Sequence, residues 1–61
     1  MHMKRYVTEF ADDLLKQVNS NDLMDSEIKQ QFRETVADIL DNYKQGFITA
    51  REAVYCLAAG F

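Results

Sequence analysis

The sequence contains no proline, two glycines (Gly46 and Gly60), one cysteine and one histidine. Without proline no segment is forced to break, and a glycine is a natural place for a helix to stop. The single cysteine, Cys56, cannot close an internal disulfide and suits a reducing compartment. No apolar run approaches the roughly 18 residues of a membrane span, and no signal-peptide pattern is present. The expectation is therefore a cytoplasmic protein without a membrane partner. The one histidine, His2, lies in Met1-His2-Met3, which matches the remnant of a common cloning site; Met3-Lys4-Arg5 is then the natural start. Residues 1–3 are read as such a remnant or as disordered, and they are set aside from chemistry. Basic charge is also scarce, with seven Lys and Arg against ten Asp and Glu for a net charge of −3. That balance argues against nucleic acid or an anionic membrane as the main partner.

What is present is a globular composition, 48% apolar and 28% charged, in 61 residues. This length suits one domain, and a chain this short buries only about 60% of the surface it exposes when unfolded. One small core is possible; a deep catalytic cleft is not. No repeat, linker or low-complexity tract divides the chain, so residues 1–61 are read as a single domain.

Three amphipathic segments give an all-α, three-helix domain with helices at about 4–18, 26–45 and 49–59. In the first, Val7, Phe10, Ala11, Leu14, Leu15 and Val18 form one stripe with Tyr6 at its edge, and Asn19-Ser20-Asn21 end it. A short connection follows, in which Leu23 and Met24 are expected to tuck under the fold as a plug. Asp25 or Ser26 is a plausible N-cap for the second helix, which presents Ile28, Phe32, Thr35, Val36, Ile39, Leu40 and Tyr43 on one broad face. Gly46 supplies the left-handed residue beyond that helix. Thr49 and Glu52 then form a capping box, with Ile48 and Ala53 at staple positions. In the third helix Ala53, Val54, Leu57, Ala58 and Phe61 are expected to face inward, and Gly60 to end it. No segment shows the sustained alternation of a strand.

Candidate sites are few. Asp41–Glu52 reads like a calcium loop at its first, sixth, eighth and twelfth positions (Asp41, Gly46, Ile48, Glu52). The third and fifth positions should supply oxygen ligands, but Tyr43 at the third belongs to the buried stripe and Gln45 at the fifth offers only a neutral carbonyl. Helix punctuation explains the same residues without a metal. A helix-turn-helix DNA reader would use the third helix, whose only cation is Arg51. Ser20, Ser26, Thr35 and Cys56 have no neighbouring histidine to act as base, Asp12 and Asp13 point apart, and Glu34 with Asp38 reads as a repulsive surface pair. No catalytic residue, cofactor or metal is expected.

What remains is the segment from Ala53 to Phe61, which carries no charge. A helix apolar on every side is normally covered on more than one side, and this chain has little material to cover it. If Val54, Leu57, Ala58 and Phe61 face the other helices, Tyr55, Cys56 and Ala59 face away. They are the candidate interaction residues, weighed against a helix sunk between its neighbours or a modest patch of the kind monomers tolerate. The expectation is a non-enzymatic interaction module, a homo-oligomer or a binder of another protein. The alternative is a small regulatory nucleic-acid-binding protein.

The stretches Arg5–Leu14 (RYVTEFADDL), Asn21–Lys29 (NDLMDSEIK) and Tyr43–Ala53 (YKQGFITAREA) together resemble a group of short helical proteins from Gram-positive phages and integrative mobile elements. The similarity covers most of the chain but lies mainly in helix caps and core positions. It implies a cytoplasmic accessory role and transfers no site residues.

Overall fold

Three apolar stripes at helical spacing become three helices: α1 over Arg5–Asn19, α2 over Ser26–Lys44 and α3 over Ala50–Ala59. Each bound falls within one residue of the expected one. The structure, a computed structural model, describes residues 4–59, and no strand occurs among them. Gly60 as the stop of α3, the inward placement of Phe61, and residues 1–3 lie outside the described residues.

The helices pack pairwise. α1 and α2 run antiparallel, because opposite ends of the two meet. At one end the Lys4 amide donates to the Tyr43 hydroxyl at 3.0 Å. At the other, Lys29 Nζ donates to the Asn19 carbonyl at 3.2 Å and Arg33 Nη1 to Asn19 Oδ1 at 3.0 Å. These two cations lie where the carbonyls at the end of α1 gather partial negative charge. α3 runs beside α1 in the same direction. Its Ala53 joins Val7 and Tyr43 in one buried cluster, and its Leu57 joins Ala11 and Val36 in a second. Ile39 and Leu40 of α2 pack against both clusters and join them into one core.

The two connections are built differently. After α1, Asn21 Oδ1 accepts the Leu23 amide at 2.9 Å, and the Asn21 carbonyl accepts the Met24 amide at 3.3 Å. This Asx-type turn overturns the expectation of a two-residue plug. Leu23 is 97% exposed, while only Met24 is half-buried. Consecutive side chains in such a tight turn point in different directions, so one of the pair faces solvent. Asp25 takes the N-cap position of α2, but its side chain makes no capping bond.

The α2–α3 connection follows the sequence closely. Gly46 has φ 86°. The Phe47 amide donates to the Asn42 carbonyl at 2.9 Å, and the Gly46 amide to the Tyr43 carbonyl at 3.0 Å. Those two bonds form a Schellman turn. The capping box is complete in both directions: the Thr49 amide donates to Glu52 Oε1 at 2.9 Å, and the Glu52 amide to Thr49 Oγ1 at 3.1 Å.

Two α2 positions expected on the buried face lie outside it. Thr35 is exposed and returns its hydroxyl to the Gln31 carbonyl at 2.9 Å, and Ile28 is 51% exposed. Both sit on the flank of α2 that α3 is too short to cover.

Tyr43 is the one buried aromatic side chain with a polar tip, and its hydroxyl is satisfied by the backbone of Lys4. Tyr43→Phe is expected to cost about 1 kcal/mol in urea unfolding, the usual worth of one hydrogen bond. An unchanged midpoint would show that the bond contributes nothing. Thr49→Ala is expected to cost about 0.5–2 kcal/mol through loss of the cap, with a visible drop in helical circular dichroism from α3.

Candidate interaction surface

The register of α3 decides what it shows to solvent. Ala53 and Leu57 are buried and Val54 is half-buried. Each four-residue step along a helix drifts by about 40° from the seam, since a turn holds about 3.6 residues. Val54 is at the edge of the seam, so Ala58, one step further, is carried out of it. Ala58 is exposed, contrary to the inward placement expected from the sequence. Tyr55 is 72% exposed and Ala59 is exposed. Cys56 is a free thiol and half-buried, at the margin of this face rather than on its crest. The outer face of α3 is thus Arg51 and Glu52 in the first turn, followed by one aromatic ring and two alanines.

A second apolar surface was not anticipated. An open groove of about 450 Å³ is lined by Val18, Met24, Ile28, Gln31, Phe32 and Thr35. It runs between the end of α1 and the first half of α2, past the point where α3 stops. Val18 is buried and Phe32 packs against the second core cluster, as expected, whereas Ile28 is left exposed, because periodicity shows which residues share a face, not whether a neighbour is long enough to cover it. A usable signal was nevertheless present: the third apolar segment is about half as long as the second.

The other candidates are ordinary surface features. Asp41–Lys44 form the last turn of α2, the Tyr43 side chain is buried, and Asp41 Oδ2 accepts Gln45 Nε2 at 2.8 Å. The Glu52 carboxylate is committed to the cap. Among the described residues no three His, Cys, Asp or Glu side chains gather as metal ligands would. Asp12 pairs with Lys16 at 3.3 Å, and Glu34 accepts Gln30 Nε2 at 3.4 Å. No helix among the described residues is long and apolar enough to cross a membrane. No protein-family model, curated protein or solved structure matches the chain.

Exposure sets opposite expectations for two leucines. Leu23→Ser should change unfolding free energy by no more than about 0.5 kcal/mol. Leu57→Ala should cost about 2–5 kcal/mol, seen as an earlier thermal or urea transition. Equal losses at the two positions would contradict the described packing.

Proposed function

We propose that this chain is a non-enzymatic helical protein-interaction module that self-associates through the outer face of α3, with Tyr55, Cys56 and Ala59 at the contact. The observation that carries the reading is Tyr55, an aromatic ring 72% exposed on a helix with no charge after Glu52. Aromatic side chains bring large contact area and are enriched at interfaces. Exposed Ala58 and Ala59 form a flat shelf beside it, and small side chains let a second helix approach closely. A two-fold pairing would set the ring of one copy over the alanine shelf of the other.

A cytoplasmic setting belongs to the same proposal and is supported by the lone free thiol. An accessory role in a phage or mobile element is supported by the likeness of Arg5–Leu14, Asn21–Lys29 and Tyr43–Ala53 to such proteins. The nucleic-acid alternative is weaker. Arg51 is the single cation of α3, Lys29 and Arg33 of α2 are engaged at Asn19, and exposed Lys44 is the one further cation of α2.

Light scattering behind a sizing column tests the reading. At high micromolar concentration the expected mass is at least that of two chains, and a strict monomer overturns self-association. Ala59→Glu is expected to return the protein to a monomer with unchanged helical circular dichroism. If that variant assembles as before, α3 is not the contact.

A further inference from the structure

The groove lies beyond Ala59, the last described residue of α3. At roughly 1.5 Å per residue, the nineteen residues of α2 extend about 28 Å, whereas the ten of α3 reach about 15 Å. The seating of α3 shows where it stops. Ala53 packs at the level of Val7 and Tyr43, and Leu57 at the level of Ala11 and Val36. The groove is lined by buried Val18 of α1, by Phe32 of α2, which also packs against the second cluster, by Ile28 a turn earlier, and by Met24 of the connecting turn. None of its six lining residues is charged. Ile28 is 51% exposed, and Leu23 next to Met24 is 97% exposed.

The charges beside the groove are of one sign. Glu27, Gln31, Glu34 and Asp38 follow one another at three- and four-residue steps, so they form one stripe on α2, with Gln31 in the groove wall. Glu27, Glu34 and Asp38 are exposed, and neither ion pair among the described residues, Arg5–Glu9 or Lys16–Asp12, includes them. The cations of this half of α2, Lys29 and Arg33, lie on the opposite flank, folded onto Asn19. The groove therefore has an apolar bed and an acidic bank.

We propose that this groove docks one face of a basic amphipathic helix from another protein. Its apolar side chains would lie over Ile28, Phe32 and Val18, and its Lys or Arg side chains along Glu27, Glu34 and Asp38. This is the helix-in-groove mode, with affinity from the apolar anchors and orientation and salt dependence from the bank. The helices of this chain do not supply such a ligand. Arg5 and Lys16 of α1 are paired within their own helix, Lys29 and Arg33 of α2 are held at Asn19, and Lys44 at the end of α2 and Arg51 of α3 are each the single cation of their turn. A partner of different sequence is the occupant that the charges fit.

The test is a titration of the isotope-labelled full chain with two synthetic amphipathic peptides, followed by amide chemical shifts. The two share a leucine face at helical spacing and carry lysine or glutamate on the other face. The lysine peptide is expected to bind with a Kd of tens of micromolar at low salt, with shifts concentrated at Val18, Met24, Ile28 and Phe32. The glutamate peptide should bind at least ten-fold more weakly. Ile28→Asn should weaken the lysine peptide about ten-fold. The double variant Glu34→Gln with Asp38→Asn, which leaves the apolar bed intact, should weaken it several-fold at low salt and hardly at all in 0.5 M salt. Equal binding of both peptides, no binding at millimolar concentration, or shifts confined to the outer face of α3 would each overturn the proposal. So would contacts from the Phe61 ring to Ile28 and Phe32 in the free protein, which would make the chain its own occupant. Ala59→Glu should bind the lysine peptide as the unaltered chain does, so this result is read independently of self-association.

Discussion

The seating of α3 by Ala53 and Leu57 is the contact on which the rest of the structure depends. Ala53 is fully buried against Val7 and Tyr43, and the absence of a larger side chain lets α3 come close to both other helices at once. Leu57 then fills the space between Ala11 and Val36. Few large side chains are fully enclosed among the described residues; Leu57, Val7 and Val36 are the largest, and Leu57 lies on the shortest helix. The same helix thus closes the core and, by stopping early, leaves part of it open.

Polar bonds reinforce that packing at the ends of the bundle rather than in its middle. Apart from the Tyr43 hydroxyl, no buried polar side-chain group occurs among the described residues. The side-chain bonds that link separate helices are Tyr43 to the Lys4 backbone and Lys29 and Arg33 to Asn19. They tie α1 to α2 at both ends. The surface ion pairs Arg5–Glu9 and Lys16–Asp12 stay within one helix and are well solvated, a setting in which such pairs add little.

The sequence showed clearly those features whose causes are local. Gly46, Thr49 and Glu52 act within a few residues of themselves, and their turn and capping box were predicted position by position. Helix bounds followed from the same kind of signal. What periodicity could not give was coverage. Ile28 shares a face with buried Val36 and half-buried Phe32, yet it lies exposed in a groove because the helix that would cover it is short. Leu23 and Ala58 were misplaced for a related reason: a one-dimensional pattern records that a residue is apolar but not the turn geometry or angular drift that carries it outward. The bond from Lys4 to Tyr43 spans 39 positions, and nothing in the local sequence announces it. On the candidate surface, Tyr55 and Ala59 were legible from the run of uncharged residues. The acidic bank became meaningful only once the groove beside it was seen.

The Schellman turn and the capping box between Asn42 and Glu52 also bear on the order in which the chain assembles. Their bonds close rings of only a few residues, so the corner between α2 and α3 can organise at small entropic cost. The packing of α1 on α3, Val7 with Ala53 and Ala11 with Leu57, closes longer loops than the 39 positions between Lys4 and Tyr43 and is the most expensive of those described. Ranked by closure cost, the turns that join α1 to α2 and α2 to α3 come first and the packing of α3 against α1 comes last. Such predominantly short-range wiring belongs to proteins that fold in microseconds to milliseconds.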